Sequence, residues 1–344
     1  MPHTKRYAVI LSSGIGKRTG FVLPKQLVKI RGTELLLRSI AIFNNKNSMV
    51  NFDKIIITVP PSSAFDFDWK KFISDNVSWQ NVNSEFNRLQ TDNVTYQKGS
   101  EYLIDPQYQA LFDKIVIIEG GDLRQKSVYN ALNYIEKNFI CSNAGDLVPD
   151  SDFNSNTNLY IDSKSDPDSA SYSYYNSDSA THSSSDSIVF IHDSARPFVT
   201  NSEIYMLNEA ASKFGASFLF GLVTDTIKSA ECRKDNKDYL AEKNSGHKSL
   251  ELKYFNTLDR NNLIAAKTPQ VFKFNIIKKA MDKIFKKNVE TNLEKFTDDI
   301  SFIENCGIPA KPILSNDYNI KITSASDVDL AEFFLDRFDK INRK

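Results

Sequence analysis

Short apolar runs alternate with amphipathic stretches along much of this chain. Runs rich in Ile, Val and Phe, bounded by polar residues, Gly or Pro, predict five strands at 7–12, 54–60, 114–121, 187–199 and 216–223. Apolar residues at helical spacing predict three helices at 33–43, 125–139 and 202–215, and Gly215 closes the last of them. The pattern therefore alternates strands with helices.

Such alternation indicates an α/β fold: a mostly parallel, twisted, Rossmann-like sheet with helices on both faces. We expect one domain over residues 1–344. Polar clusters follow the predicted strands directly, at 12–18, 120–124 and 192–197. In open α/β sheets ligands bind at the carboxyl edge of the strands, so the three clusters predict a binding site there.

Three segments interrupt this pattern, and we treat them as inserts in the domain. Residues 61–112 are rich in Asn, Asp and aromatic residues without a clear period. Residues 141–187 are a low-complexity Ser/Asp/Asn stretch, and few large aliphatic residues are present to offset ordering entropy, which predicts disorder. A phosphorylation-regulated segment is the alternative there. Residues 229–257 predict a long polar hairpin, or arm.

Composition and charge exclude some classes of function. The 43 Lys and Arg balance the 43 Asp and Glu, which argues against a general nucleic-acid or membrane-surface binder. No apolar run reaches the ~18 residues of a membrane span. The three cysteines lack metal-ligand spacing and indicate free thiols in a reducing compartment. The early first strand leaves no room for a transit peptide, so we expect a bacterial cytoplasmic protein. A plastid protein without its transit peptide is the alternative.

The loop after the first strand, LSSGIGKRTGFVLPKQ at 11–26, combines small residues with spaced positive charge. Small residues let a ligand approach the backbone, whose N–H groups can cradle phosphate oxygens; they are Ser12, Ser13, Gly14 and Gly16. Arg18 and Lys25 add charge to the same space. The spacing is neither a Walker A motif nor the dinucleotide fingerprint. From this stretch alone, a Gly-rich surface turn with solvated Lys and Arg remains an open alternative.

Two later segments have similar chemistry. EGGDLRQKSV at 119–128 brings two glycines, an acid and a base to a helix N-terminus, which favours anions. HDSARPF at 192–198 places Asp193 at a strand end, where a carboxylate could hold a hard divalent cation that bridges phosphates. A structural pair with Arg196 is the alternative for this Asp. Taken alone, Lys321 in NIKIT would be a solvated lysine at a strand edge.

In their order, the motifs GxGxR, PKQ, GGxxRxxSV, HDxARP, DTIK, DRN, TPQ, TDD and NIKIT resemble those of the 2-C-methyl-D-erythritol 4-phosphate cytidylyltransferases. The resemblance runs from about residue 7 to 337 and covers roughly two thirds of the chain. It implies a single nucleotidyltransferase domain that joins methylerythritol phosphate to CTP, giving the CDP-linked product and pyrophosphate. It also implies Mg²⁺, a homodimer formed through the 229–257 arm, and no nucleic-acid or membrane partner.

The resemblance implies a role for each matching residue. The triphosphate loop is matched by Gly14, Gly16, Arg18 and Lys25, of which Arg18 and Lys25 would stabilise charge during attack on the α-phosphorus. Ser12 and Ser13, beside them, are expected to bind CTP as well. The nucleotide-binding and cytosine-reading region is matched by Gly121, Asp122, Arg124 and Ser127. Asp193 matches the acid near the ribose, the metal and the substrate, and Lys321 a second lysine at the α-phosphate. The groups that hold methylerythritol phosphate are matched by Thr226, Arg260 and Thr297, with Arg260 serving the partner subunit's site.

Three other functions stay open at this point. A ribitol-5-phosphate cytidylyltransferase would share the fold and chemistry. A catalytically silent nucleotide-binding homologue would use the Ser/Asp insert as a partner-binding segment. A sugar-activating enzyme using UTP or GTP is disfavoured by GGDLRQKSV. Leu11, Ser12 and Ser13 depart from the family's usual Pro or Ala followed by Ala-Ala or Ala-Gly, yet they keep the loop small.

Overall fold

A seven-stranded sheet forms the centre of the fold. The computed structural model describes residues 4–14, 24–45, 48–76, 113–141, 187–232, 252–286 and 292–342. The described strands are β1 (Arg6–Leu11), β2 (Lys29–Ile30), β3 (Thr33–Glu34), β4 (Lys54–Val59), β5 (Ile115–Glu119), β6 (Ile188–Asp193), β7 (Ala216–Leu222), β8 (Lys228–Cys232), β9 (Leu252–Thr257), β10 (Ile264–Lys273) and β11 (Lys311–Leu314). The large sheet has the order β11-β7-β10-β6-β1-β4-β5.

Six labelled helices accompany the strands in the described residues. They are α1 (Leu35–Phe43), α2 (Arg124–Ile135), α3 (Asn201–Phe214), α4 (Phe274–Phe285), α5 (Ile300–Glu304) and α6 (Ala325–Asn342). Residues 69–76 are also helical. A five-residue π turn, Glu136–Ile140, extends α2, and short 3-10 turns lie at Lys25–Leu27, Arg260–Asn262 and Leu293–Lys295.

The sheet is mostly parallel, as the sequence predicts. β1 pairs in parallel with β4 and β6, β4 with β5, and β11 with β7. Only β10 is antiparallel to its neighbours, β6 and β7, among the described strands of this sheet. Two small hairpins, β2–β3 and β8–β9, lie apart from it.

The core is divided between the two faces of the sheet because successive strand residues point to opposite sides. In β1, Ala8 and Ile10 join one apolar cluster, while Tyr7 and Val9 join the other. The first cluster takes in apolar residues of α1 and α3, and the second takes in those of α2 and α4. Helices therefore cover both faces, which confirms the predicted architecture.

Among the predicted elements that differ from the observed ones at their ends, two have a clear structural cause. The fourth predicted strand, 187–199, ends at Asp193, because the Arg196 N–H donates to the Asp193 carbonyl at 3.0 Å and turns the chain. The first predicted helix, 33–43, begins only at Leu35, since the preceding Thr33–Glu34 pairs with Lys29–Ile30.

A third apolar cluster packs α6 beside the β2–β3 hairpin. Leu335 and Phe338 of α6 lie with Ile30, Phe198 and Ile322 in this cluster. The backbone N–H of Ile322 also donates to the carbonyl of Ala195, at 2.9 Å. The segment with Lys321 is thus fixed against the turn that follows β6.

The inserts are described only in part. Residues 61–76 of the first pack on the sheet, where Trp69 and Ile73 are buried. The second lies almost wholly outside the described residues, as do 233–251 of the arm. The ends of the arm pair as the β8–β9 hairpin. No helix in the described ranges is long and apolar enough to cross a membrane.

Candidate active site

A cleft of about 230 Å³ opens where β1, β5 and β6 end. Its described lining consists of Leu11, Ser12, Ser13, Gly14, Lys25, Gln26, Gly121, Asp122, Leu123, Arg124, Asp193, Ser194, Ala195 and Lys321. The three polar clusters predicted to follow strands therefore meet in one place, at the edge where ligands bind in such sheets.

The Asp193 carboxylate lies between two cations. Its Oδ2 accepts from Lys321 Nζ at 2.6 Å and its Oδ1 from Arg124 Nε at 3.3 Å. Burial raises the pKa of Asp193, but the charges of Arg124 and Lys321 outweigh it and hold the pKa well below the usual range. Asp193 is therefore ionised, with both oxygens engaged.

Arg196 holds the polypeptide around the cleft and forms no ion pair with Asp193. Its Nη1 donates to the Asn319 carbonyl at 3.2 Å, which ties the turn after β6 to the segment before Lys321. The Asp193–Arg196 pair considered from the sequence is thus replaced by ion pairs of Asp193 with Arg124 and Lys321.

His192 fixes the turn that presents Asp193. Its Nε2 lies 3.0 Å from the Arg196 carbonyl and its Nδ1 lies 3.2 Å from Thr268 Oγ1, which in turn accepts from the Asp193 N–H at 3.1 Å. Because the Arg196 carbonyl can only accept, Nε2 carries the imidazole proton, and in the neutral ring Nδ1 then accepts from the Thr268 hydroxyl. Burial lowers the pKa of His192 to about 4, so the ring is neutral near pH 7.

Lys25 approaches the same space from the loop after β1. It begins the 3-10 turn Lys25–Leu27, directly after Pro24. Burial and the nearby charge of Lys321 lower the pKa of Lys25 to about 8. Two ammonium groups that repel each other across a cleft favour an anion between them. The next residue, Gln26, is buried in the lining, and its Nε2 has no hydrogen-bond partner among the described residues.

The wall opposite these lysines depends on a close approach between two loops. Ser13 Oγ lies 2.8 Å from Ser127 Oγ, and the Gly121 N–H donates to Ser127 Oγ at 2.9 Å. A Cβ on Gly120 would lie 2.3 Å from the Ser13 Cβ, so only glycine fits between the loops. Gly120 is a residue that the motif comparison did not single out, although it stands in the quoted EGG.

The structure brings together most of the predicted site residues. Nine of them line the cleft, namely Ser12, Ser13, Gly14, Lys25, Gly121, Asp122, Arg124, Asp193 and Lys321. Ser127 lies behind this lining and contacts it through Ser13. Asp122 is exposed and pairs with Lys126 at 2.9 Å. Gly16 and Arg18 lie outside the described residues.

Three predicted residues lie away from the lining. Thr226, Arg260 and Thr297 are exposed and are absent from the described wall of the cleft. Arg260 Nη1 donates instead to the Thr224 carbonyl, at 2.9 Å. Within a single chain, these residues do not join the cleft described here.

Sequence reasoning missed the buried partner of Arg124. The Asp299 side chain is fully buried, and its two oxygens accept from Arg124 Nη1 and Nη2 at 2.8 and 2.7 Å. In the TDD motif, the resemblance gives a role to Thr297 alone. An acid in such a motif is the signal that could have indicated a partner for Arg124.

The described residues offer a divalent cation a single well-placed carboxylate. No group of three His, Cys, Asp or Glu side chains that could hold a metal occurs in the part of the chain that the structure describes. Mg²⁺ is often held by one or two carboxylates together with substrate phosphates, and Asp193 could supply such a carboxylate in this cleft. Both acids of the lining are paired, Asp122 with Lys126 and Asp193 with Arg124 and Lys321, so a cation at Asp193 would compete with these partners.

Known proteins resemble this chain over nearly its whole length. The profile of the 2-C-methyl-D-erythritol 4-phosphate cytidylyltransferase family matches residues 169–337. Proteins of that name from Clostridium perfringens and Clostridioides difficile are 28% and 25% identical to it. The matches cover 96% and 98% of this chain and 99% and 97% of the relatives. The chain is therefore similar to the 2-C-methyl-D-erythritol 4-phosphate cytidylyltransferase family, by its profile over residues 169–337 and by these relatives over nearly its whole length.

Solved structures of this family share the fold. The 2-C-methyl-D-erythritol 4-phosphate cytidylyltransferase of Francisella tularensis superimposes with a TM-score of 0.54 at 24% identity, over 96% of this chain and 100% of that one. A 4-diphosphocytidyl-2C-methyl-D-erythritol synthase from Anaerococcus prevotii superimposes with a TM-score of 0.51 at 16% identity, over 97% of both chains. At these identities the structures support the fold alone.

Proposed function

We propose that this chain transfers CMP from CTP to 2-C-methyl-D-erythritol 4-phosphate. The products are 4-diphosphocytidyl-2-C-methyl-D-erythritol and pyrophosphate. Similarity to the family supports this reaction, and so does the cleft, in which Lys25, Lys321 and Arg124 surround Asp193 at the carboxyl ends of parallel strands. The observation that carries the proposal is the facing pair Lys25 and Lys321, whose mutual repulsion an anionic substrate would relieve.

The reaction needs charge neutralisation and positioning more than covalent catalysis. An oxygen of the methylerythritol phosphate attacks the α-phosphorus of CTP. The bond from that phosphorus to the β-phosphate oxygen breaks, and pyrophosphate leaves with the electron pair. Lys25 and Lys321 stabilise the negative charge that develops during attack, because both present ammonium groups to the same partly buried space. Arg18 is proposed to help them from the triphosphate loop.

The nucleotide is proposed to lie between the two loops of the cleft. Ser12, Ser13, Gly14 and Gly16 would cradle the triphosphate, and Gly121, Asp122, Arg124 and Ser127 would form the nucleotide-reading side. Asp193 would hold Mg²⁺ together with oxygens of the triphosphate. When bound, the cation would neutralise phosphate charge. The bacterial origin of the relatives supports a bacterial, cytoplasmic enzyme within this proposal.

Pyrophosphate release tests the reaction directly. Wild-type protein is given CTP and Mg²⁺ with either methylerythritol phosphate or ribitol 5-phosphate, and we expect release only with the first. Lys25→Ala and Lys321→Ala are expected to abolish turnover while the fold is retained. Lys71→Ala removes an exposed lysine outside the cleft and is expected to keep wild-type turnover. Release with ribitol 5-phosphate alone, or with neither substrate, would overturn the proposal.

The same proposal includes a homodimer formed through the 229–257 arm. Phe255 in β9 is 60% exposed, and Leu222 and Ile264, which pair where β7 meets β10, are 69% and 48% exposed. Arg260 and Thr226 lie on this part of the chain and outside its own cleft. A second copy would cover the apolar residues and would receive Arg260, Thr226 and, on the same reasoning, Thr297 as substrate-binding groups.

Subunit mixing tests this dimer. Lys25→Ala and Arg260→Ala proteins are expected to be inactive singly. After mixing and exchange, a heterodimer has one intact site, so equal amounts are expected to restore roughly a quarter of wild-type activity. Sedimentation equilibrium checks that the wild type is a dimer. A monomer, or a mixture with no recovered activity, would contradict the role of the arm.

A further inference from the structure

A buried chain of polar contacts links the active-site cleft to strand β10, which lies beside β6 in the sheet. We propose that Asp299 and Gln270 are positioning residues that fix Arg124 and, through it, Asp193. The proposal rests on the cytidylyl transfer proposed above, because it gives these residues a role in that reaction. The proposal also predicts that substitutions at Asp299 and Asp193 have non-additive effects on the free energy of unfolding, which is measured without any substrate.

The first link is the pair formed by Arg124 and Asp299. Two parallel hydrogen bonds, of 2.8 and 2.7 Å, join both terminal nitrogens of Arg124 to both oxygens of Asp299. This two-pronged arrangement fixes the plane of the guanidinium as well as its distance. The Asp299 side chain is fully buried, whereas that of Arg124 remains 25% exposed at the cleft. Asp299 is therefore the buried support, and Arg124 is the group that it presents to the cleft.

The second link holds Asp299 itself. Gln270 Oε1 accepts from the backbone N–H groups of Asp299 and Ile300, at 2.8 and 3.0 Å. Gln270 Nε2 donates to Asp298 Oδ2 at 2.9 Å, so both ends of one buried amide bind the loop before α5. Gln270 is in β10 and pairs with Ile191 of β6, two residues before Asp193. The loop is thus anchored to the strand that borders the one ending at Asp193.

The third link reaches the cleft. With both terminal nitrogens on Asp299, the guanidinium directs Nε to Asp193 Oδ1, which leaves Oδ2 to Lys321. Three of the five N–H donors of Arg124 are thus engaged, and two carboxylates share its charge. Arg124 is placed to orient Asp193, and Lys25 and Lys321 remain the cations that meet phosphate. The structure therefore favours a positioning role for Arg124 over that of a phosphate clamp.

A double-mutant cycle with Asp299→Asn and Asp193→Asn tests the chain of contacts. Asn keeps the size of Asp299 but presents an amide nitrogen to an Arg124 donor, so the fork is lost. We expect Asp299→Asn to lower kcat about tenfold or more, as loss of an outer-shell partner does, with a smaller change in the KM for CTP. In the Asp193→Asn background the same change is expected to have little further effect on kcat, because the group it positions is gone.

Urea unfolding of the same four proteins gives a readout independent of substrate. We expect the two substitutions to be non-additive in the free energy of unfolding. Glu304→Gln is the matched control, since it removes one negative charge from an exposed position in α5, and it is expected to change neither kcat nor the unfolding midpoint. If wild-type protein does not turn over CTP with methylerythritol phosphate, the proposed function fails, while the unfolding cycle still decides the contact chain.

Arg124→Lys provides a second variant in case Asp299→Asn fails to fold. Lys keeps the charge but cannot bind Asp299 with a fork while it also reaches Asp193. We therefore expect a loss of kcat similar to that of Asp299→Asn. Additive effects in the cycle, or wild-type kcat in Arg124→Lys, would overturn the proposal.

Discussion

Gly120→Ala tests the close approach of the two cleft loops, because a single methyl group has no room there. The new Cβ would lie 2.3 Å from the Ser13 Cβ, 2.7 Å from its Oγ and 2.8 Å from Ser127 Oγ. Both serine oxygens belong to the hydrogen bond that joins the loops. Overpacking of this kind costs about 1–3 kcal/mol, and loss of the Ser13–Ser127 hydrogen bond adds about 1 kcal/mol. We expect a total loss of roughly 2–4 kcal/mol in the free energy of unfolding.

Urea unfolding measures this loss, and the CTP dependence of pyrophosphate release measures its effect on the site. Gly14→Ala is the matched control for stability, because a Cβ there meets no atom of the described residues within 4 Å. We expect Gly120→Ala to lower the urea midpoint with an unchanged slope and to raise the KM for CTP, since Ser13 is displaced from the wall. An unfolding free energy within about 0.5 kcal/mol of wild type would refute the steric reasoning, because that is the range of ordinary surface substitutions.

Three other outcomes follow from the structure. Because the pKa of Lys25 is about 8, kcat/KM is expected to fall as the pH rises through that value; this falling limb should be missing in any active Lys25→Arg enzyme, whose side chain stays charged. His192 has a folded pKa of about 4, below its unfolded value of 6.5, so the unfolded state binds the proton first as the pH falls. The free energy of unfolding should therefore decrease by roughly 3 kcal/mol between pH ~6.5 and ~4. Urea unfolding at several pH values checks this, and a His192→Asn protein with the same pH dependence would contradict it. Deletion of 142–186, chosen for its Ser/Asp composition, is expected to leave pyrophosphate release largely unchanged, and a large loss would make the segment part of the enzyme.

Apolar patterning was enough to predict five strands of the sheet, but β10 and the short parallel edge strand β11 were not recognised. Strands β1, β4 and β6 are buried on both faces and are continuous apolar runs. β10 contains Pro269 and two lysines, and Pro argues against a central strand because it lacks an N–H for the ladder. The structure accommodates it with a register shift between Lys267 and Gln270. That shift depends on the neighbouring strands, so no local pattern indicates it.

The site shows the same division between local and long-range information. Motif order placed nine of the predicted residues in one cleft, because the strands that precede them end at the same edge. It did not give the partners of Arg124, which lie 69 and 175 residues further along the chain. The pairing is set by how the loop before α5 packs against β10. The sequence alone therefore indicated the charges of the site but not which of them neutralise one another.

These pairings divide the cations of the cleft into those neutralised by carboxylates of the protein and those that remain able to bind a substrate phosphate. Arg124 is shared by Asp193 and Asp299, whereas Lys25 forms no ion pair with a described residue and has its pKa lowered by burial and by Lys321. Lys321 lies between these cases, since it binds Asp193 but its side chain is 43% exposed. A phosphate bound by Lys25 in the cleft would compete with Asp193 for Lys321. When Lys321 leaves Asp193 to bind phosphate, the Asp193 carboxylate stays paired with Arg124. It therefore does not turn toward the incoming anion and repel it.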